Sequence, residues 1–460
     1  MTAEHTFTVR GKRATVVGAA RSGIAAAELL VRRGATVVLT DTKPELAEEQ
    51  ALRSAGVVLE LGGHRPATFT QADLIVLSPG VPPTLPELQA ARDAGIPVIG
   101  ELEMASRWLR GRIVAITGTK GKSTTTTLTG RMLEAGGHTV LVGGNIGHAL
   151  SAQVDASTPE TIHVVEASSF QLESIETFRP WISVFLNFSP DHLDRHASVD
   201  EYAAAKARIF INQTAADWAV VNADDPSVGR MAADAASRKL WFSMTDSLAS
   251  GVLVHGDSIV RRTDEGDHPL VPLASIRLLG RHLIADVLAA SAVASIAGVD
   301  AESMTHAVES FKGLEHALEP VAEFGGVMFV NDSKATNIEA AHRAIESFPS
   351  LVVIMGGRFK GGDFGDLREG LASRGATVIA IGEARPLITT ALGDVVTVLE
   401  AGDMGAAVKT AFASAAPGAT VVLAPACASF DMFRDYAERG RVFKQEVLRL
   451  EEEWKRAREQ

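Results

Sequence analysis

The stretch Arg112–Leu128, RIVAITGTKGKSTTTTL, decides how the rest of the chain is read. Its first half, with Ile113, Val114, Ile116 and Thr117, has the apolar, β-branched character of a buried strand. Gly118-Thr119-Lys120-Gly121 interrupts that run, and Lys122-Ser123-Thr124 opens a helical segment. In such a strand–turn–helix unit the backbone N–H groups of the turn converge, and the helix N-terminus adds positive potential. Lys122 neutralises phosphate charge and the Ser123 hydroxyl suits Mg²⁺. Gly118, Thr119, Lys120, Gly121, Lys122, Ser123 and Thr124 are therefore expected to hold a nucleoside triphosphate. The loop is tighter than the widespread version, which carries a further glycine where Ile116 stands.

Length and composition set the frame. A chain of 460 residues is long enough for about three domains, and 46% hydrophobic residues make it globular. A formal net charge of −12 argues against a broad nucleic-acid surface. Cys427 is the single cysteine, which rules out an internal disulfide and fits a reducing compartment. No run approaches the ~20 apolar residues needed to span a bilayer, and no secretory leader is expected before Arg10-Gly11-Lys12. The chain is expected to be soluble, cytoplasmic and monomeric, with no nucleic-acid or membrane partner.

Strand-like runs alternate with helical patterns almost throughout, which predicts an α/β fold with parallel sheets covered on both faces. RATVVG, ATVVLT and DLIVLS mark a Rossmann-like N-terminal domain over 1–100. A central phosphate-loop ATPase domain over 101–312 adds IHVVEAS, WISVFLN and WAVVN. A Rossmann-like C-terminal domain over 313–460 carries MFVNDS, LVVIMGG, TVIAIG and TVVLAP. Ligands gather at the carboxyl ends of such strands. The stretch from Arg441 to Gln460, with Val442, Val447, Leu448, Leu450 and Trp454 among charges, reads as a surface amphipathic helix.

Several strand ends carry chemistry. Glu166 closes a strand and leads into Glu-Ala-Ser-Ser-Phe-Gln-Leu-Glu; a carboxylate there is a natural Mg²⁺ ligand, since hard cations prefer oxygen. Asn187 leads into Ser189-Pro190-Asp191-His192-Leu193-Asp194, a cluster suited to a metal or substrate. Gly18-Ala19-Ala20-Arg21-Ser22-Gly23 follows the first strand and is close to a dinucleotide fingerprint, with Ala20 replacing the second glycine. Asp41 ends the second strand, where such folds contact a ribose. A nicotinamide-dependent oxidoreductase is one reading of those residues.

The short loop Gly-Thr-Lys-Gly-Lys-Ser-Thr resembles that of the Mur ligase family, ATP-dependent enzymes that join amino acids in peptidoglycan synthesis. Gly143-Gly144-Asn145-Ile146-Gly147 looks like the family's Gly-Asn-Ile-Gly turn. Three further turns resemble the family's glutamate-adding branch: Asn331-Asp332-Ser333-Lys334-Ala335-Thr336-Asn337, Gly356-Gly357-Arg358-Phe359-Lys360-Gly361-Gly362, and Ala424-Pro425-Ala426-Cys427-Ala428-Ser429-Phe430-Asp431. The diaminopimelate-adding signature Asp-Asn-Pro-Arg is absent.

The resemblance implies addition of D-glutamate to UDP-N-acetylmuramoyl-L-alanine through an acyl phosphate, with ATP and Mg²⁺. By position, Arg21, Ser22, Asp41, Thr42 and Lys43, with Ser78 and Gly80, would contact the UDP end, and Asn145 and His192 the sugar-peptide. Lys206 would be carbamylated by CO₂ and, with Ser123, Glu166 and His192, bind metal. Lys122, His192 and Lys206 would be catalytic. Lys334, Thr336, Lys360, Ser429 and Phe430 would hold D-glutamate, with Tyr436 packed against it; a lysine and hydroxyls suit a dicarboxylic amino acid. His316 and Asp332 would serve the base and ribose.

Two departures bear on the nucleotide pocket. The family's Gly-x-His-Asn-x-x-Asn is here Gly280-Arg281-His282-Leu283-Ile284-Ala285-Asp286, and its His-Arg pair is His316-Ala317. An L-glutamate-adding or folylpolyglutamate synthase-like ligase and a non-catalytic nucleotide switch stay open beside the oxidoreductase.

Overall fold

The structure, a computed structural model, describes residues 7–191, 195–276, 282–311 and 313–459. Three sheets form. The first orders its five parallel strands β3-β2-β1-β4-β5, with β1 Arg13–Val17, β2 Thr36–Asp41, β3 Val58–Leu61, β4 Leu74–Leu77 and β5 Val98–Gly100. Val16, Val17, Ile75 and Val76 are sealed from solvent, as expected of strands covered on both faces.

The second sheet holds β6 Arg112–Thr117, β7 Thr139–Gly144, β8 Thr161–Glu166, β9 Ile182–Phe185, β10 Trp218–Asn222, β11 Arg238–Ser243, β12 Gly251–His255, β13 Ser258–Thr263 and β14 Gly266–Pro272. Their order is β14-β13-β12-β11-β10-β9-β6-β8-β7. Strand β6 thus lies between β8 and β9, with Ile116 opposite Glu166 and Thr117 opposite Phe185. That register puts the ends of β8 and β9 on either side of the Gly118 turn.

The expectation of parallel strands fails at one edge: β12, β13 and β14 pair antiparallel. Only Gly256 and Asp257 separate β12 from β13, with Gly256 at φ 60°. Two residues can reverse a chain into a hairpin, whereas a parallel crossover needs a dozen or more.

The third sheet orders β15-β16-β20-β17-β18-β19, with β15 Glu319–Phe324, β16 Val327–Asn331, β17 Leu351–Gly356, β18 Thr377–Ile381, β19 Thr397–Glu400 and β20 Thr420–Leu423. Strand β15 pairs antiparallel to β16, a second exception to the parallel expectation. The C-terminal helix begins at Tyr436, earlier than the charge pattern indicated, and runs to Glu459. It buries Phe443 and Val447 against the sheet, so only part of it is surface. The chain divides into two compact units, Met1–Arg277 with Arg281–Ser310, and Leu278–Gly280 with Phe311–Gln460.

Candidate active site

The Gly118 turn is held by the strand ends around it. Gly118 sits at φ 149° and Gly121 at φ 79°, conformations that favour residues without a Cβ. Thr119 donates its N–H to the Asn187 carbonyl (3.0 Å), and Lys120 donates its own to Asn187 Oδ1 (2.9 Å). The helix Lys122–Ala135 then starts from the left-handed Gly121, with no side-chain cap on its first N–H groups. The N-terminal end of a helix is where backbone N–H groups and positive potential favour an anion.

Charged groups converge on this turn. Lys122 Nζ donates to the carbonyls of Gly118 (3.0 Å) and Thr119 (2.9 Å). Ser123 Oγ donates to Glu166 Oε2 at 2.7 Å, and Asn145 Nδ2 to Glu166 Oε1 at 2.7 Å. Glu166 is buried, so its carboxylate is shared between the turn and the Gly143–Gly147 segment.

Lys206 is the largest surprise. An alternation of small residues around a helical lysine suggests an exposed side chain, yet Lys206 is only 1% exposed. The helix Val199–Ala207, N-capped by Ser198, places Tyr202 and Lys206 four residues apart on one face. Tyr202 OH reaches Thr119 Oγ1 (3.3 Å) and Lys206 Nζ donates to the Gly118 carbonyl (2.7 Å). Burial first, and the nearby Lys122 charge second, push the Lys206 ammonium down to about 6, although Asp191 and Glu166 oppose the shift.

His192 and Asp194 lie outside the described residues, so their share in the cluster is not described. Among the described residues, no group of three or more His, Cys, Asp or Glu side chains is disposed to hold a metal ion. The oxygen donors at hand are Ser123 and Glu166. The nearby His196 is committed elsewhere, to Ser169 Oγ (3.0 Å) and Glu173 (3.2 Å).

In the first sheet, Asp41 Oδ2 accepts the Ala19 N–H (2.5 Å) and Oδ1 the Lys43 N–H (2.8 Å). Both carboxylate oxygens thus shape the two turns where a ribose contact was expected. Arg21 Nη1 donates to the Gly147 carbonyl (2.8 Å), tying the first sheet to the Gly143–Gly147 segment. Ser78 is buried; Ser22 is half-buried, and Thr42, Lys43 and Gly80 face solvent.

The three turns of the third sheet meet because β16, β20 and β17 are neighbours. Ala426 N–H donates to Ala335 O (2.9 Å), and Arg358 and Ala428 exchange N–H···O bonds of 2.9 and 3.0 Å. Arg439, buried in the C-terminal helix, joins them: its guanidinium donates to Ser333 Oγ, Ser333 O and Cys427 O. Lys334, Lys360, Phe430 and Tyr436 are exposed at this confluence; Thr336 is half-buried and Ser429 buried. Cys427 is buried, and its thiol is pushed up to about 12 by that burial, as suits a small core residue rather than a nucleophile.

Beside these turns, His316 is buried at φ 67°, with Nδ1 2.9 Å from Asn331 Nδ2. Asp332 accepts the Leu318 N–H (3.2 Å) and is pushed up to about 7 by burial. Sequence reading did not anticipate the contacts of Tyr202, Asp286 and Arg439; each reaches a partner more than 80 residues away.

A glycine turn between a central strand and a helix, followed in sequence by a sheet whose turns present lysines and hydroxyls, is an arrangement suited to an ATP-dependent ligase. Family models match in order: the Mur ligase MurD-like N-terminal domain over residues 12–100, the Mur ligase middle domain over 116–294 and the Mur ligase glutamate ligase domain over 318–427. The chain is 48% identical over 446 residues to the UDP-N-acetylmuramoylalanine–D-glutamate ligase of Acidobacterium capsulatum, covering 96% of this chain and 97% of that one. The enzyme of the same name from Koribacter versatilis is 45% identical, with 97% and 100% covered. Among solved structures, the UDP-N-acetylmuramate-alanine ligase of Thermotoga maritima superposes with a TM-score of 0.58 at 17% identity, over 96% of this chain and 100% of that one. The chain belongs to the Mur ligase family.

Proposed function

We propose that the protein adds D-glutamate to UDP-N-acetylmuramoyl-L-alanine at the expense of ATP, releasing ADP and phosphate. Relatives with that name match it over nearly their full length. The observation that carries the chemistry is the meeting of Lys122 and Lys206 on one carbonyl, Gly118 O, beside the Ser123–Glu166 pair.

The residues divide the work. The Gly118–Thr124 turn and Lys122 hold the triphosphate, so that the substrate carboxylate attacks the γ-phosphorus in line and forms an acyl phosphate. Arg21, Ser22, Asp41, Thr42, Lys43, Ser78 and Gly80 hold the UDP end, and Asn145 and His192 orient the sugar-peptide. Lys334, Thr336, Lys360, Ser429, Phe430 and Tyr436 hold D-glutamate, whose amine attacks the acyl carbonyl and expels phosphate. His316 and Asp332 serve the base and ribose.

The donor set fits Mg²⁺: a serine hydroxyl and a buried carboxylate are hard oxygen ligands next to a phosphate site. Bound there with His192, Mg²⁺ would neutralise phosphate charge during transfer. A neutral Lys206 amine suits carbamylation. Its lone pair attacks the carbon of CO₂, a C–N bond forms, one C=O pair moves to oxygen, and the amine proton leaves to solvent. The product is an oxygen ligand in place of the amine.

We infer that the protein acts as a cytoplasmic monomer; among the described residues no helix is long and apolar enough to cross a membrane. The deciding experiment is a phosphate-release panel over acceptors and amino acids. Release that requires the UDP-sugar and D-glutamate together is expected. Release with L-glutamate alone, with a folate acceptor, or with ATP alone would overturn the assignment.

A further inference from the structure

The carboxyl of Asp286 occupies an unusual place. The helix His282–Ala297 packs on the helix Lys122–Ala135 and sets this side chain directly beneath the phosphate turn. Thr125 Oγ1 donates to Asp286 Oδ1 at 3.1 Å, and a Cβ built on Gly121 would fall 2.2 Å from the same oxygen. The residue is 4% exposed. Its second oxygen, Oδ2, is buried and has no hydrogen-bond partner among the described residues.

An ionised carboxylate can only accept hydrogen bonds. Here it would put a buried negative charge against the turn that must receive a polyanion. Burial dominates its titration, and among the described residues Thr125, the group facing it from the neighbouring helix, is the one opposing influence. Lys122 on that helix is turned onto the Gly118 and Thr119 carbonyls. From the strands behind, Arg261 is bonded to Ser295 and Lys239 to the Ala235 carbonyl. Burial pushes the acid up to about 8.

We propose that Asp286 is a positioning residue that works as a neutral carboxylic acid, bracing the Gly121–Thr125 turn so that it accepts a triphosphate, and that its ionisation weakens nucleotide binding. The inference rests on the reading of Gly118–Thr124 as a triphosphate site. It adds a requirement on the protonation state of a residue outside that turn, and it makes nucleotide affinity depend on alkaline pH.

The test is calorimetric titration of a non-hydrolysable Mg-ATP analogue into the full-length protein from about pH 6 to about pH 10. For the wild-type chain, Kd is expected to be level at about pH 7, above the range in which Lys206 titrates, and to rise about tenfold per pH unit once the acid ionises. Asp286→Asn, whose amide cannot ionise, is expected to lose that alkaline limb. Thr125→Val removes the hydroxyl that favours the ionised form, and should move the limb to higher pH; it serves if the first variant fails to fold. Parallel profiles for wild type and Asp286→Asn, or a limb unmoved by Thr125→Val, would overturn the role of Asp286 alone. Absence of binding by the wild-type chain at every pH would overturn the triphosphate site as well.

Discussion

Two glycine turns, Gly18–Gly23 and Gly118–Ser123, each follow the first strand of a sheet, among parallel neighbours, and each open a helix, yet they differ in what surrounds them. At the first, a Cβ on Gly23 would meet the Gly18 carbonyl at 1.8 Å, so the helix is clamped onto the turn, and Asp41 is consumed by two backbone N–H groups. Its polar groups serve the shape of the loop. At the second, Lys122, Lys206, Glu166 and Asp286 are gathered around the loop with little solvent to screen them. The same backbone pattern thus lies among loop-shaping contacts in one place and among ionisable groups in the other, which matches the proposed division into a binding shelf and a reactive centre. The difference lies in ionisable groups that meet the loop mostly from other elements, because low-dielectric surroundings magnify what each group's charge or neutrality does there.

The largest effect separating the two turns should come from Lys122→Ala. It removes the cation that meets both Gly118 and Thr119 carbonyls, and ATP-dependent phosphate release should fall by at least about a hundredfold. Initial-rate assays at saturating acceptor check this; near-normal turnover would place the reactive centre elsewhere.

Next comes Lys206→Met, which keeps the length of the side chain but not the amine. Activity should drop by about two orders of magnitude or more, while thermal stability should hold or rise, since a desolvated amine is costly to bury. Unfolding midpoints and rates on one preparation check both halves. A variant that unfolds readily would make Lys206 a structural residue.

How far this contrast could be read in advance depends on the range of the contacts. The Gly118 turn was legible because its determinants are consecutive: strand, glycines, Lys122 and Ser123. Glu166 was legible as a polar residue ending an apolar strand. Asp286 was visible only as a departure from a pattern, because its partner Thr125 lies 161 residues away. Tyr202 and Arg439 gave no signal, since each depends on how a helix is rotated against a turn remote in sequence. The three turns of the third sheet were found individually. Their convergence follows from the strand order β16-β20-β17, which no local pattern encodes. The antiparallel edge was missed because a Gly256 hairpin within an alternating α/β pattern is a small local event.

A third turn system extends the contrast. Lys360 is exposed, so its charge is screened and its removal should cost less than that of half-buried Lys122 or buried Lys206. Lys360→Ala should raise the glutamate KM by about tenfold while the ATP KM stays put. Measuring both constants decides it: equal effects on ATP and glutamate would deny the lysine a carboxylate.

The smallest effect should fall at the shelf. Asp41→Asn keeps the size of the side chain but sets an amide NH₂ against one of the two backbone donors, Ala19 N–H or Lys43 N–H, that the carboxylate now accepts. One bond is replaced by two donors facing each other, a loss of about 1–2 kcal/mol in the order of the turn. If the turn is a binding shelf, that disorder should appear as a KM for the UDP-sugar raised by about tenfold, with kcat and the ATP KM nearly unchanged. A fall in kcat at constant KM would mean that Asp41 reaches into the reaction itself. The two glycine turns would then share the chemistry, and the division between shelf and reactive centre would be lost.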